Sequence, residues 1–374
     1  MKFRRHAPAL LIGAVIFVVV SVTLISNIIF SGMTTSVEEG QLALMKSIVD
    51  FNLQGAEGKA LARAALIADM PKTKELFAAQ DRAALLAEYL PMFQVQKEKY
   101  GVDQAQFHLP PATSFLRLQS PDKFGDDLSK FRPMVVAVNR DQVAKKGFAI
   151  ARTGPAIFGV VPVFDANHKH IGSFEIGIAF AGILDSLKAA YSLELAVFIK
   201  EEPLKEFATG VAPGIFSDQN RLGQYIRYHS TNAALIQALV TDSDLNAANG
   251  GEYIREALGL PYGVVVIPLR NAAGDALGMI VVAKDFSSSR SAQSRSLVWQ
   301  ILMALFATVL MAGAILIVIR GVLLRPLQTL TAKFTHLADG SNITSEESKP
   351  EGLCEELQEL AQQYERLRHA REKQ

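Results

Sequence analysis

Two runs of uncharged, apolar residues frame the chain, Pro8 to Phe30 and Leu297 to Ile319. Each covers about 23 residues, roughly 35 Å as a helix, enough to cross a bilayer hydrocarbon core. The stretch between them has the patterning of a globular protein and is far too long for a loop. From Met33 to about Met70, Leu42, Met45, Ile48, Val49, Leu61, Ala65, Ile67 and Ala68 recur at helical spacing, and Pro71 closes the run. This spacing predicts one long helix continuing out of the first apolar run. A second helix is predicted over Asp81 to Tyr100, with Asp81 as N-cap and Gly101 as stop.

Alternation and turn signals follow. Strands are predicted around Gln106–Leu109 and Ser114–Leu118, and a short helix over Leu128–Asn139. Phe158–Phe164 and Ile171–Ile178 flank a turn at Asp165–Lys169 and read as an antiparallel pair. That hairpin recurs: Val264–Arg270, a turn at Asn271–Asp275, then Leu277–Val282. An offset of about 106 residues maps Pro162 onto Pro268, Gly172 onto Gly278 and Phe180 onto Phe286, the self-similarity of a duplicated unit. Two tandem α/β modules are expected, residues 75–190 and 191–286, the second reduced and with a small or empty pocket.

Beyond the second apolar run, Leu327, Leu330, Phe334 and Leu337 step by heptad spacing, as do Leu353, Leu357, Leu360, Tyr364 and Leu367. A polar connector, Asp339 to Gly352, separates the two seams. Basic residues flank the outer ends of the apolar runs: Lys2, Arg4 and Arg5 before the first, Arg320, Arg325 and Lys333 after the second. By the positive-inside rule both termini are cytoplasmic and residues 32–296 are exported, in a two-pass protein of a bacterial inner membrane. Arg290 and Arg295 weaken that bias slightly. The first run is longer than the roughly 7–15 residues of a cleaved signal, and Ser31-Gly32-Met33 is a poor cleavage site, so an uncleaved span is expected over residues 8–31.

Composition narrows the function. With 38 Lys plus Arg against 37 Asp plus Glu the chain is nearly neutral, and no basic patch suits nucleic acid. The single cysteine, Cys354, falls on the cytoplasmic side, so the exported part has no disulfide. A nucleophile elbow, a phosphate-binding loop and a His-Glu-x-x-His helix are all missing, which argues against an enzyme; no cofactor or metal site is expected.

Two resemblances add to this. Arg325-Pro326-Leu327 and Cys354-Glu355-Glu356-Leu357, on paired heptad helices just past a span, resemble a HAMP linker over residues 320–370. That implies a parallel four-helix bundle formed by two chains. Ile343 fits as one connector anchor; a second is not evident. The stretch Phe107 to Leu118, then Pro121 to Leu128, with Gly159 to Asp165 and Ile171-Gly172, resembles a double Cache sensor domain, more narrowly that of methyl-accepting chemotaxis proteins. The fold class this implies is α/β: tandem PAS-like modules on a long N-terminal helix (residues 32–74), between two transmembrane helices (8–31 and 297–319) and above a cytoplasmic HAMP bundle. The 75–190 module would be membrane-distal and hold a small ligand; the 191–286 module would be membrane-proximal.

Within the first module, His108, Ser114, Arg117, Arg152 and Glu175 lie on or beside predicted strands, with Phe115 and Phe158 as walls, and form the candidate ligand site. An arginine fork suits a carboxylate or other anion. Equally, Arg117 and Arg152 could pair with Asp126, Asp127 or Glu175 and brace the fold, and His108 could be a structural histidine. The expected protein is a homodimeric chemoreceptor-like signal transducer. No kinase core, cyclase or methylated hairpin is present within the 374 residues, so a separate cytoplasmic signalling protein is expected to supply the output. The alternatives are a membrane-anchored scaffold and the remnant of a sensor kinase or cyclase.

Overall fold

The computed structural model describes residues 3–338 and 355–371. It divides into two compact units, Ser36–Ser288 and a second formed by Met1–Thr35 with Ser289–Gln374.

Helix α1 (Phe3–Asp69) is continuous through the predicted 33–70 segment and ends just before Pro71. Proline has no N–H to give, so it opens a helix readily, and α2 (Pro71–Ala78) starts on it. In α3 (Arg82–Tyr100) the Asp81 carboxylate accepts the Ala84 N–H at 3.0 Å, and Gly101 closes the helix at φ 69°, a left-handed turn that glycine enters without strain.

The first sheet contains β1 (Val102–Leu109), β2 (Thr113–Arg117), β3 (Lys145–Ala151), β4 (Gly154–Phe164) and β5 (His170–Ala179), with α4 (Pro133–Asp141) between β2 and β3. Its order is β2-β1-β5-β4-β3, antiparallel throughout. Helix α5 (Phe180–Tyr191) leads to β6 (Glu194–Lys200), α6 (Glu201–Phe207), β7 (Arg221–Leu222), β8 (Tyr225–Ser230), α7 (Ala233–Leu239), α8 (Asp242–Leu245), β9 (Gly251–Ala257), β10 (Leu260–Arg270) and β11 (Ala276–Asp285). These strands make a second antiparallel sheet, β7-β8-β6-β11-β10-β9.

The duplication extends to register. Val163 pairs with Gly172 and Pro162 with Ser173; Leu269 pairs with Gly278 and Pro268 with Met279. Both hairpins slip at the equivalent place, between Val163 and Phe164 and between Leu269 and Arg270. The expectation of a reduced second module needs correcting: its sheet has six strands against five in the first. What is short is its cover, α7 and α8.

One face of each sheet rests on α1. Leu42, Met45, Val49 and Ala56 pack with Val265 and Val282 of the second sheet, with Phe180 at the start of α5 and with Phe286 just after β11. Ala60, Ala64, Ile67 and Ala68 pack with Phe107, Val161, Phe174 and Ile176 on the first. The contact at the first sheet is unusually close. Ala60 and Ala64 are fully buried, and a β-carbon at Gly159 of β4 would collide with the backbone of Ala60 and Leu61. On the other face of the second sheet, Leu235, Ile236, Leu239 and Leu245 fill the space over Phe198, Val264, Val266 and Val281.

In the other unit, α9 (Ser287–Val318) passes through one π-helical turn, Ile319–Leu324, into α10 (Arg325–Ala338), and α11 (Glu355–Arg371) follows. Among the described residues, two helical stretches, beginning at Pro8 and at Ser287, are long and apolar enough to cross a membrane. Phe17, Ile28, Trp299 and Ile317 on them are exposed. Helices α10 and α11 meet along their heptad seams: the Phe334 and Tyr364 rings lie 5.2 Å apart, and Leu330 and Leu357 are buried. The connector Asp339 to Gly352, with Ile343, and also Leu353 and Cys354, lies outside the described residues.

Candidate ligand site on the first sheet

Strand alternation decides which side chains share the free face of the first sheet. In β1, Ala105 and Phe107 point to α1, so Gln104, Gln106 and His108 point away from it; in β5, Phe174 and Ile176 leave Ser173 and Glu175 on the free face. Register then aligns them. Gln106 lies opposite Glu175, His108 opposite Ser173, and Val160 of β4 flanks Glu175 on its other side. Met134, Val135 and Val138 of α4 cover the neighbouring part of the face over Ala156, Phe158 and Val160.

Arg132, the residue before α4, reaches down into this layer. Its guanidinium gives two hydrogen bonds to the Glu175 carboxylate, Nη1 to Oε1 at 3.0 Å and Nη2 to Oε2, and lies 4.3 Å above the Phe158 ring. Arg132 is 2% exposed and Glu175 fully buried. His108, also fully buried, has Nε2 3.6 Å from Glu175 Oε1, too long for a hydrogen bond, and Nδ1 3.3 Å from the Ser173 hydroxyl. Gln106 donates to Ser114 Oγ at 2.9 Å, and Asn139 donates to the Pro111 carbonyl at 3.0 Å. Burial by itself would push the Glu175 carboxyl up. The charge of Arg132, then that of His108, outweighs it and holds the group at about 2.

Four polar atoms of this cluster have no hydrogen-bond partner: Gln104 Nε2, His108 Nε2, Arg132 Nε and Asn139 Oδ1. A buried polar atom left unpaired costs about 1–3 kcal/mol, so four in one layer are polar groups that a water or another small molecule would satisfy. A cavity of about 440 Å³, lined by Phe131, Arg132, Pro133, Met134, Phe148 and Phe207 among others, borders the cluster at Arg132.

The structure brings four of the seven predicted residues together: His108, Ser114, Phe158 and Glu175. The other three lie elsewhere. Arg117 forms a two-pronged pair with Asp126, both bonds 2.7 Å, and donates to the Lys123 carbonyl at 2.9 Å. That pair, mainly through its hydrogen bonds, lowers the Asp126 carboxyl below its ordinary value. Phe115 packs on Phe77, on the α1 side of the sheet. Arg152 sits in the turn between β3 and β4, where its carbonyl accepts the Gly210 N–H at 2.9 Å. Arg132, Gln104, Gln106, Ser173 and Asn139 escaped the sequence reading. The alternating polar positions Gln104, Gln106 and His108, and again Ser173 and Glu175, were the available signal; Arg132 sits in irregular chain and offered none.

The family described as the double sensory domain of two-component sensor kinase matches residues 45–290. Among solved structures, the ligand-binding domain of the Campylobacter jejuni chemoreceptor Tlp3 with 4-methylisoleucine is similar at 12% identity and TM-score 0.41, over 70% of this chain and 94% of that one. The sensor domain of the V. cholerae histidine kinase DctB is similar at 9% identity and TM-score 0.39, over 67% and 98%. An extracellular ligand binding receptor from Desulfohalobium retbaense is similar at 11% identity and TM-score 0.35; 65% of this chain covers 40% of that receptor's length. No curated protein matches the chain.

Proposed function

Because this chain belongs to the family of double sensory domains of two-component sensor kinases, we propose that it is a two-pass membrane receptor that binds a small molecule outside the cytoplasm on the free face of its first sheet. The observation that carries the reading is the buried polar cluster with its four unpaired atoms, on the sheet whose opposite face holds α1. A ligand that completes those hydrogen bonds favours one arrangement of sheet and helix. In ordinary coupling the two arrangements differ by about 1–3 kcal/mol in ligand affinity. No catalysis is assigned to this face.

The relay follows from helical continuity. α1 carries the apolar run and the sensor core in one element, and α9 passes through the π-helical turn into α10. The α10–α11 pair acts as a HAMP-type converter that two chains complete, with a separate cytoplasmic protein as output. Along α1, the face turned away from both sheets carries exposed Val37, Leu44 and Phe51 at seven-residue spacing. This is the seam that a second copy covers.

The test is thermal unfolding of the full-length chain in lipid nanodiscs against a panel of small acids, amino acids, amines and sugars. A ligand at about a hundred times its Kd adds about 2.7 kcal/mol, several degrees for a domain this size. Ser173→Ala should weaken the response, while Arg117→Ala should leave affinity unchanged and lower stability. Silence across the panel would favour the scaffold reading instead.

A further inference from the structure

The proposed site is closed by a side chain of its own chain, and the nature of that plug identifies what it excludes. Its two charged halves differ in how firmly they are held. Glu175 lies in the middle of β5, the central strand, paired to β1 on one side and β4 on the other. Arg132 stands at the N-cap of the nine-residue α4, makes no side-chain cap there, and lines the 440 Å³ cavity into which a long side chain can swing. The carboxylate is the fixed half and the guanidinium the movable one.

If Arg132 leaves, what remains is a buried carboxylate with His108 Nε2 3.6 Å away, the open face of Phe158, two more oxygens, Asn139 Oδ1 and the Ser173 hydroxyl, and the Gln104 amide nitrogen. A carboxylate beside an aromatic face attracts cations by charge and by the ring quadrupole. An anion placed there would face Glu175 with only His108 beside the carboxylate to offset the repulsion. Opening with no cation at all would leave the buried carboxylate without its two guanidinium hydrogen bonds, with only His108 nearby, which disfavours it.

Building on the receptor reading above, we infer that Arg132 is an internal substitute for an organic cation, a guanidinium or primary ammonium compound, which displaces it from Glu175 and Phe158. The exchange releases α4 from the sheet. Because ligand and Arg132 compete for the same carboxylate, the measured affinity of the wild-type chain is lowered by the fraction of time the site is closed.

The experiment compares methylguanidinium and n-butylammonium chlorides with sodium butyrate and sodium chloride, at matched millimolar ionic strength, on the full-length chain in nanodiscs. Both cations should raise the unfolding temperature saturably, and the two sodium salts should not. Arg132→Ala removes the competitor and should bind methylguanidinium at least about tenfold more tightly. Ser173→Ala leaves both the Arg132–Glu175 pair and the Phe158 ring in place and should weaken cation binding about two- to tenfold, which keeps the test decisive if Arg132→Ala fails to fold. Stabilisation by butyrate alone, or weaker cation binding by a folded Arg132→Ala, overturns the inference. Silence from all four salts also overturns it, whereas the receptor reading falls only if the wider panel is silent as well.

Discussion

Asp103 and Glu175 are two shielded carboxyls with opposite consequences for stability. The Asp103 Oδ1 atom is buried without a hydrogen-bond partner, and burial, only partly offset by its own backbone N–H and by Lys97, raises the group to about 6. Between its ordinary value near 3.8 and 6 the folded chain binds the extra proton, so stability falls as pH rises through that window. Asp103→Asn should therefore stabilise the protein at pH 7.5, on the order of 2 kcal/mol by urea unfolding, and do little at pH 4. Glu175 runs the other way. Its folded value of about 2 lies below the ordinary 4.5, so its contribution, on the order of 3 kcal/mol, is complete above 4.5 and disappears as pH falls toward 2. Arg132→Met/Glu175→Leu, which replaces the pair with apolar groups, should flatten the acid limb of a stability-against-pH curve between those values.

The residue scale also shows why part of the site was legible. His108, Ser114, Phe158 and Glu175 sit on strands whose alternation is readable directly. Phe115 was misplaced because the pairing of β1 and β2 slips between Phe107 and His108: Phe107 meets Leu116 but His108 meets Ser114, which leaves Phe115 as an extra residue. A bulge of that kind reverses the side on which a side chain emerges, and no periodicity announces it. Arg117 was ambiguous between ligand and brace from sequence alone. Its Asp126 partner lies nine residues on, in turn-rich chain that no propensity rule brings back to the strand.

At the scale of elements, the hairpins β4–β5 and β10–β11 were readable down to equivalent pairs, because turn residues and strand lengths fix register locally. The packing of α1 was not. That depends on Gly159 facing Ala60 across the two elements, and a glycine in a strand does not disclose which backbone approaches it. Gly159→Ala should force α1 away from β4 and cost about 1–3 kcal/mol, read as a lower urea midpoint. Ala60→Gly, combined with it, should recover little, because the collision is with backbone rather than with the alanine methyl.

For the whole molecule, the part of α1 that seats the second sheet bears on the proposed pairing of two chains. Phe51 is 76% exposed, a large apolar side chain on a helix whose opposite face is buried. In a Cys354→Ser background, Phe51→Cys should form a disulfide-linked dimer in membranes under mild oxidation. Lys59→Cys, roughly a quarter turn around the helix, should cross-link much less. Equal yields at both positions would remove α1 as the seam.

Between Leu42 and Ala68, both sheets are seated on the same stretch of α1. A one-residue insertion near Gly58 would rotate one seat by about 100° against the other and shift it along the axis by about 1.5 Å. The two sheets are thus keyed to one shaft at a set phase. Neither can turn alone, and any twist imposed at one bearing must be taken up by the other.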